Sequence, residues 1–438
     1  MSLLPVMEGL HSAEVLTPAF LEAFFRRARH VEQRPEDFAG ALEGRIIAHV
    51  FEEPSTRTRL SFEAAAHRLG ARVLTVSDPK SSSGAKGESL HDAAKVIGGY
   101  CDLMVLRHAR DGASRLASLS AGVPVVNGGD GRLGHPTQTL VDLYTLHRRW
   151  EGFRGRTVAI AGDLLHGRTA RSLAWGLATL GVRLVLLPGP GLDWESSFDR
   201  RLLDRFDYRL RRCRHRLFET WTGTAEARLL EPRELVQPSL FPEDAPVLSG
   251  LDALYMTRLQ SERGAEAQDR PYCRLSASDL RDPLLEECLV LHPLPRLDEL
   301  PRELDDDPRA IWFEQARLGP VVRQVVFLAM LHEDRWSLPQ LAPLPAGNPD
   351  HELGNCPNPS CITRAEGLPV PWRVVGRARR SFLCAFCDGL LPVDYAGCRS
   401  THRVHPLHSP AAMRIAPENL RPFRERDAAE SAGYVWGG

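Results

Sequence analysis

The densest group of reactive side chains is the consecutive run Ser55-Thr56-Arg57-Thr58-Arg59. It follows a predicted strand, RIIAHVF, and opens a predicted helix. Free backbone N–H groups and the helix dipole favour an anion at a helix N-terminus, and an arginine can hold a phosphate with two parallel hydrogen bonds. The run therefore predicts a phosphate site. The structural alternative is that Ser55 or Thr56 only caps the helix while the arginines face solvent.

A second chemical signal is a group of four cysteines near the C-terminus. Four residues separate Cys356 from Cys361, two separate Cys384 from Cys387, and 22 lie between the pairs. Two such knuckles are typical of a tetrahedral, closed zinc site, which stabilises structure and has no open position for chemistry. We therefore predict one structural zinc ion per chain. The alternative is four unrelated buried thiols.

Short β-branched runs alternate with helical patterns in the first 330 residues, as in βαβ units. The sequence predicts an α/β fold with two parallel-sheet domains. Residues 1–150 form the first, which a helix at about 308–333 completes, and residues 151–307 form the second. The second contains an insertion at about 193–249.

The C-terminal quarter has a different composition. Prolines mark a stiff linker over residues 334–352. Residues 353–396 are predicted to form a small β-rich zinc domain, and residues 397–438 a tail. The tail contains His402, His405 and His408, but no fixed scaffold that would make them a metal site is evident.

Composition excludes several classes of protein. Lys plus Arg total 55 and Asp plus Glu total 56, so no global basic field would attract nucleic acid. No apolar run reaches the roughly 20 residues of a membrane-spanning helix. The N-terminus lacks the pattern of an export signal, and the cysteine usage suits a reducing compartment, which together predict a cytoplasmic protein.

An arginine-rich stretch within the insertion leaves two interpretations open. Eight arginines occur between residues 200 and 216 in a helical-looking segment. They could bind nucleic acid. Because Asp199, Asp204 and Asp207 dilute the charge, we prefer a solvated helix or a subunit contact.

Seven ordered motifs over residues 9–333 carry a family resemblance: FEEPSTRTRLSFE, SSSGAKGESLHDA, LRHARDGAS, GDGRLGHPTQTLVDL, GDLLHGRTARSL, LYMTRLQSER and VLHPLPRLDEL. Together they resemble the catalytic chain of aspartate carbamoyltransferase. STRTR and HPTQ belong to all carbamoyltransferases, whereas MTRLQ and HPLPR point to the aspartate enzyme. Ornithine-specific relatives typically have a cysteine in the last motif, so Pro293 after His292 discriminates.

The resemblance implies a site for carbamoyl phosphate. Its phosphate and carbonyl would be held by Ser55, Thr56, Arg57, Thr58, Arg107 and His135. Its amide would be held by Gln138 and by the backbone carbonyls of Pro293 and Leu294. Arg57, Thr58, Arg107 and His135 would be catalytic, and no metal is needed for this reaction. A lone histidine such as His135 is more often structural, but the complete HPTQ motif favours the functional interpretation.

The resemblance also implies a site for L-aspartate and an assembly. Arg168, Arg258 and Gln260 would bind the two carboxylates. Ser82 and Lys86 lie in a Ser- and Gly-rich loop that, in the family, crosses into the adjacent subunit. Active sites at subunit boundaries imply a homotrimer, with higher assembly through the zinc domain left open.

The cysteine knuckles CPNPSCI and CAFC resemble the zinc domain of the separate regulatory chain of this family. In that chain a nucleotide-binding domain precedes the zinc domain, but only about 20 residues separate the catalytic region from Cys356 here, too few for another domain. Regulation by ATP or CTP is therefore in doubt. Two alternatives stay open: a carbamoyltransferase for another amino acid, and a noncatalytic zinc-ribbon scaffold or nucleic-acid binder.

Overall fold

The computed structural model describes residues 6–7, 9–76, 87–214, 226–235, 248, 250–261, 272–331, 344–345, 353–376 and 380–437. Within these ranges no helix is both long enough and apolar enough to span a lipid bilayer.

The first domain is built around a five-stranded parallel sheet. Its elements are β1 (Val6–Met7), β2 (Gly9–Leu10), α1 (Pro18–Gln33), β3 (Ile46–Phe51), α2 (Thr56–Arg68), β4 (Arg72–Val76), α3 (Leu90–Gly98), β5 (Leu103–His108), α4 (Ala113–Ser120), β6 (Val125–Asp130) and α5 (Pro136–Arg149). The strand order is β2-β6-β5-β3-β4, and β1 does not join this sheet. β3, β5 and β6 are mostly buried because helices cover both faces of the sheet. Their carboxyl ends meet at one edge, where ligands bind in such sheets.

The second domain has a mixed six-stranded sheet. Its elements are β7 (Thr157–Gly162), α6 (Arg168–Thr179), β8 (Arg183–Pro188), α7 (Ser196–Phe206), β9 (Tyr208–Arg214), β10 (Glu226–Pro232), β11 (Ala253–Met256) and β12 (Leu289–Leu291). The strand order is β12-β11-β7-β8-β10-β9. The first four strands in this order are parallel, which confirms the predicted α/β class.

The arginine-rich stretch is not the single helix that its sequence suggested. The α7 helix ends where Asp207 adopts the left-handed conformation, with φ 52°, and the next seven residues form β9 at the edge of the sheet. β10 pairs antiparallel with both β8 and β9. Charged side chains suit an edge strand because they discourage pairing with another chain.

Two helices from beyond the second sheet complete the first domain. These are α8 (Trp312–Arg317) and α9 (Gly319–Leu331). Helix α9 packs against α1, α2 and α5 and carries the buried residues Val322, Val325 and Phe327. The amphipathic segment predicted as one helix is thus two, joined at Leu318.

The C-terminal part is built from short strands. β13 (Leu344–Pro345) comes first and pairs with β1. The elements that follow are α10 (Ile362–Ala365), β14 (Trp372–Val375), β15 (Ser381–Cys384), β16 (Tyr395–Cys398), β17 (Arg403–Pro406), α11 (Pro410–Met413), β18 (Leu420–Phe423), α12 (Arg426–Ser431) and β19 (Val435–Trp436). β14 and β15 form a hairpin that ends at Cys384, and Cys387 lies in the turn that follows. We call residues 353–437 the C-terminal module.

The prediction of a tail over residues 397–438 was wrong. The strands β18-β16-β17-β19 form a sheet, and the predicted boundary at 396 falls inside β16. This sheet has its own buried cluster, which includes Phe423 and Tyr434. Arg380 also binds it to the cysteine hairpin by donating to the carbonyls of Met413 and Ile415, at 3.0 and 2.6 Å.

The C-terminal module docks on the first domain, at the start of α4. The Asp111 N–H donates to the Ser360 carbonyl at 2.9 Å, and the Ile362 N–H donates to the Asp111 carbonyl at 3.0 Å. The Asp111 carboxylate accepts a third hydrogen bond, from the Asn358 amide at 2.8 Å. A strand-like contact between two backbones therefore fixes the position of the module.

Gly112, the N-cap of α4, allows this close approach. Its φ is 86°, and a Cβ atom there would lie 2.6 Å from both the carbonyl carbon and the oxygen of Phe386. Phe386 belongs to the turn between Cys384 and Cys387. A side chain at position 112 is therefore excluded both by conformation and by contact.

Five charged side chains meet where the module contacts both larger domains. Asp388 accepts from Arg115 with both carboxylate oxygens, at 2.8 and 3.0 Å, and also pairs with Arg373. Glu14 pairs with Arg373 at 2.9 Å and with Arg201 of α7. Arg201 lies 3.6 Å from Asp388. Because a buried charge without a partner is costly, this network couples the three units of the chain.

Candidate active site

The predicted phosphate site lies at the start of α2, beyond the carboxyl end of β3. Ser55 is the N-cap, and Thr56 to Thr58 form the first turn. The Ser55 side chain makes no capping hydrogen bond, so plain capping does not explain it. Burial, followed by the nearby charge of Arg258, lowers the pKa of Arg57. Arginines from two domains therefore face one another here.

Arg107 and Arg168 share a carboxylate across the two domains. Arg107 donates to Glu53 at 2.6 Å, and Arg168, the first residue of α6, donates to its two oxygens at 2.5 and 2.8 Å. Arg107 also donates to the Gly128 carbonyl at 3.1 Å. Burial, then the charge of Arg168, lowers the pKa of Arg107 to about 10, so it remains a cation at neutral pH.

Gly129 lets the two guanidinium groups approach the end of β6. Its φ is 114°, and a Cβ atom would lie 2.6 Å from Nη1 of Arg168 and 2.8 Å from Nη1 of Arg107. The Asn127 side chain fixes this turn by accepting from the Gly129 N–H at 2.6 Å. The backbone conformation and both arginines thus require glycine at this position.

His135 is buried at the N-cap of α5, before a proline in the first helical position, where proline is favoured. Its N–H donates to the Ser172 hydroxyl of α6 at 2.9 Å. Its Nδ1 atom lies 3.3 Å from Oγ1 of Thr137, whereas Nε2 has no hydrogen-bond partner among the described residues. Burial, then the charge of Arg107, lowers the pKa of His135 far below its usual value, so the ring is neutral at pH 7.

The predicted amide-binding groups come from both domains. Gln138, in the first turn of α5, donates from Nε2 to Oδ1 of Asp142 at 2.7 Å. Pro293 and Leu294 follow β12, and Leu294 adopts the left-handed conformation, with φ 54°, which is uncommon for leucine. The Leu294 N–H donates to Nδ1 of His292 at 2.8 Å. Burial raises the pKa of Asp142 to about 7.

The predicted aspartate-binding residues of the second domain follow β11. The Gln260 N–H donates to the Asp163 carboxylate at 3.1 Å, and its side chain donates to the Arg258 carbonyl at 3.4 Å. Arg258 donates from its side chain to the next carbonyl in the chain at 2.9 Å. The remaining two predicted residues, Ser82 and Lys86, lie outside the described residues.

Two carboxylates at this site were not predicted from the sequence. Glu53 lies two residues before Ser55, and Asp142 lies four residues after Gln138, on the same face of α5. These spacings are weak signals. The partners that define the two carboxylates are 115 and 173 residues away along the chain, at Arg168 and Gln315.

The four clustered cysteines could hold a metal ion. Their sulfur atoms all lie within 4.8 Å of one another, and all four residues are buried. The Sγ–Sγ separation is 3.5 Å between Cys356 and Cys387 and 3.8 Å between Cys361 and Cys384. Zinc–sulfur bonds of about 2.3 Å in a tetrahedron give sulfur–sulfur distances of about 3.8 Å, so the residues fit such an ion.

Two α/β domains, the first with a parallel sheet and the second with a mixed sheet, therefore meet at Arg107, Arg168 and Glu53. The family described as "Aspartate/ornithine carbamoyltransferase, carbamoyl-P binding domain" matches residues 9–148. The chain is 39% identical to the aspartate carbamoyltransferase catalytic subunit of Thermoplasma acidophilum, over 66% of this chain and 86% of the relative. It is 38% identical to that of Clostridium novyi, over 71% and 94%. The chain therefore belongs to the family of aspartate carbamoyltransferase catalytic chains.

Solved structures are similar over the same region. The catalytic subunit of M. jannaschii aspartate transcarbamoylase is 34% identical, with a TM-score of 0.60, over 75% of this chain and 99% of that chain. The Trypanosoma cruzi enzyme in complex with carbamoyl phosphate and aspartate is 29% identical, with a TM-score of 0.61, over 75% and 99%. The predicted fold and family are confirmed by these matches.

Proposed function

We propose that this chain transfers the carbamoyl group of carbamoyl phosphate to the α-amine of L-aspartate, forming N-carbamoyl-L-aspartate and phosphate in the pathway to pyrimidines. The observation that carries the proposal is the set of cationic side chains that come together from both domains. Arg57 and Arg107 come from the first domain, and Arg168 and Arg258 from the second. Two multiply charged anions held together require such a concentration of positive charge.

The first domain binds carbamoyl phosphate in this mechanism. Ser55, Thr56 and Arg57 hold the phosphate at the start of α2. Attack of the amine on the carbonyl carbon produces a tetrahedral oxyanion, to which Thr58, Arg107 and His135 donate. Neutral His135 can do so if Nδ1 accepts from the Thr137 hydroxyl at 3.3 Å, because Nε2 then carries the proton. Breakage of the carbon–oxygen bond to phosphate completes the transfer.

The remaining contacts come from Gln138 of the first domain and from residues of the second domain. Gln138 and the carbonyls of Pro293 and Leu294 hold the carbamoyl amide. Arg168, Arg258 and Gln260 bind the two carboxylates of aspartate, for which the planar guanidinium is well shaped. Holding both substrates in a reactive geometry removes much of the entropic barrier.

We also propose that the active unit is a homotrimer in which Ser82 and Lys86 reach the site of the neighbouring subunit. The support comes from β4, an edge strand of the first sheet that ends at Val76, shortly before Ser82 and Lys86 in the sequence. Leu74 on β4 is 44% exposed, and Leu60 on the adjacent α2 is 51% exposed. A half-uncovered edge with apolar side chains fits a subunit contact.

The metal that we propose for the cysteine cluster is one structural zinc ion per chain. Four thiols and the near-tetrahedral sulfur spacing support zinc, and they support a module like the zinc domain of the family's regulatory chain. All nine cysteines are free thiols in the structure, as suits a cytoplasmic protein. The roughly 20 residues between the catalytic region and Cys356 are too few for a nucleotide-binding domain. We therefore expect ATP and CTP to change the rate little.

The direct test is phosphate release from carbamoyl phosphate with aspartate, ornithine and asparagine as acceptors. Arg168, Arg258 and Gln260 match a second carboxylate, whereas the ornithine side chain would bring an unmatched cation among arginines, which is costly. We expect turnover with aspartate and almost none with the other two. A preference for ornithine or asparagine would refute the proposed substrate, and no phosphate release with any amine would refute the reaction.

A further inference from the structure

Asp142 is a buried carboxylate that joins two side-chain amides. Its Oδ1 atom accepts from Nε2 of Gln138 at 2.7 Å and from Nε2 of Gln315, on α8, at 2.6 Å. Asp142 is fully buried and Gln315 is 1% exposed. The hydrogen bond to Gln315 therefore forms away from water and the one to Gln138 is partly buried, so losing Asp142 as their partner is expensive.

The second of these amides extends the contact to the turn after β12. Oε1 of Gln315 accepts from the His292 N–H at 3.0 Å, and Nδ1 of His292 accepts from the Leu294 N–H at 2.8 Å. One chain of hydrogen bonds thus runs from Gln138 through Asp142 to the backbone that carries the Pro293 and Leu294 carbonyls. It connects α5 of the first domain with the second domain.

The Oδ1 atom of Asp142 accepts from the NH2 groups of both glutamines, and an accepting oxygen fixes which way each amide points. With its NH2 group directed at Asp142, Gln138 presents its oxygen on the other side. Gln315 is fixed by the same rule, since its NH2 faces Asp142 and its oxygen faces the His292 N–H. The hydroxyl of Tyr255, on β11, lies close to Asp142 and Thr169, beside Arg168.

We propose that Asp142 is a positioning residue that makes the site specific for a carbamoyl amide. The inference rests on the proposed function. The NH2 group of carbamoyl phosphate offers two N–H donors, and the Gln138 oxygen together with a carbonyl at Pro293 or Leu294 offers two acceptors. Asp142 acts on both sides of this arrangement, because it orients Gln138 directly and the β12 turn through Gln315. It does not contact the reacting atoms.

The test compares three ligands on purified protein: carbamoyl phosphate, acetyl phosphate and inorganic phosphate. Acetyl phosphate replaces the NH2 group by a methyl group and keeps the phosphate. The variants are Asp142→Leu, which removes the acceptor, Asp142→Asn, whose oxygen can still accept from both glutamines, and Gln315→Met. Thr145→Val is the matched control, since Thr145 is equally buried on α5 but its hydroxyl donates within the helix, to the Val141 carbonyl at 2.7 Å.

We expect Asp142→Leu to weaken carbamoyl phosphate binding about tenfold or more, as befits a lost buried hydrogen bond. Affinity for acetyl phosphate and inorganic phosphate should change less than about threefold, so the variant loses the preference for the amide. Gln315→Met should lose part of that preference. Asp142→Asn and Thr145→Val should retain it.

Either of two results would overturn the inference: Asp142→Leu and Gln315→Met bind all three ligands with the wild-type preference, or they weaken all three equally. If Asp142→Leu does not fold, Gln315→Met decides by the same criteria. Failure of the proposed function looks different, because the wild-type protein itself would then show no preference for carbamoyl phosphate over acetyl phosphate.

Discussion

Arg57 and Arg59 are two residues apart in one helix, but their surroundings differ. Arg57 lies within range of the charge of Arg258 across the cleft, whereas the Nε of Arg59 is 3.6 Å from Glu63 one turn along α2. Of the two arginines of STRTR, Arg57 thus lies towards the other domain and Arg59 is paired within its own helix.

Replacing these arginines tests that separation. We expect Arg57→Ala to fold normally and to lose about 100-fold or more in turnover, because it removes a cation that holds the departing phosphate, and one such electrostatic contact is typically worth that much. His135→Ala should lose a similar factor. Arg59→Ala should stay within about threefold of the wild-type rate, because a surface ion pair contributes little. Steady-state phosphate release measures all three, and wild-type rates for Arg57→Ala and His135→Ala would contradict the mechanism.

His49 is a buried histidine on β3 with no role in the proposed reaction. It packs among the rings of Phe51, Phe62 and Phe327, and neither ring nitrogen has a hydrogen-bond partner among the described residues. Burial, then the charges of His67 and Arg59, lowers its pKa to about 3. The folded protein therefore excludes a proton that the unfolded chain binds below about pH 6.5.

The sign of the resulting pH dependence follows from this difference. Above pH 6.5 the buried neutral His49 costs the folded state no stability. As the pH falls from 6.5 towards 3, it lowers the free energy of unfolding by about 1.4 kcal/mol per pH unit. Phenylalanine suits the surrounding rings at position 49. Between pH 7 and pH 5, we expect the free energy of unfolding of His49→Phe to fall by about 2 kcal/mol less than that of the wild type. Urea unfolding at both pH values measures this. Parallel losses in the two proteins would exclude His49 as the cause.

At the residue scale, the motifs named candidate substrate-binding side chains but not the side chains that hold them in place. Ser55 lies at a helix N-terminus, as its motif predicted, and His135 also lies at one. Glu53 and Asp142 could not be assigned in advance because each takes its role from a partner in another element, Arg168 or Gln315. Long-range pairing of this kind leaves no periodic pattern in the sequence.

At the scale of elements, the C-terminal module is connected to the active site through α7 and α6. Arg201 of α7 pairs with Glu14 and lies over the ring of Trp175 at 5.4 Å. Trp175 belongs to α6, whose first residue is Arg168. Loosening the module should therefore affect the placement of Arg168 more than the first-domain phosphate site.

Removing the metal tests this connection. We expect Cys384→Ser combined with Cys387→Ser, or chelation of the wild type, to abolish bound zinc and to unfold the module, because ligation supplies much of the folding free energy of so small a unit. The KM for aspartate should rise roughly threefold to tenfold through the lost contacts to α7, with residual activity retained. Metal analysis, limited proteolysis and kinetics report the three effects.

The matched control is Cys398→Ser, which changes a cysteine of the same module outside the four-cysteine cluster. It should keep both zinc and the wild-type KM. Native protein without zinc, or zinc loss that leaves proteolysis and kinetics unchanged, would contradict the proposed role of the metal.

The elements that were misassigned share a physical cause. The strands β16 to β19 contain two to four residues each and carry polar side chains, so they lack the alternating apolar pattern of longer strands. The β9 strand has the composition of a charged helix, and its pairing with β10 decides its conformation. Parallel strands with continuous apolar runs, such as β5 and β7, were predicted correctly because burial on both faces selects such runs.

At the scale of the whole molecule, the proposed trimer gives a prediction about assembly. We expect Leu74→Glu to dissociate the trimer, because burying a charge without a partner at a subunit contact costs several kcal/mol. Activity should fall with dissociation, since Ser82 and Lys86 act on the neighbouring site. Analytical ultracentrifugation and phosphate release should change together.

Leu210→Glu provides the control for this experiment. Leu210 lies on the edge strand β9 of the other domain and is 42% exposed, close to the 44% of Leu74. It should leave both mass and activity unchanged. A Leu74→Glu protein that stays trimeric would place the subunit contact elsewhere, and a wild-type monomer with full activity would refute the proposed trimer.

The contact between Gly112 and Phe386 has a consequence for the order of events during biosynthesis. The residues of both larger domains, including Gly112 at the start of α4, are translated before Cys356. N-terminal domains generally fold first during synthesis. The proposed zinc ion would join the cysteines on either side of Phe386, so we expect metal binding to precede docking of the module. We therefore expect metal supply to act late in maturation, and a cell short of zinc to accumulate folded catalytic domains to which the C-terminal module is not docked.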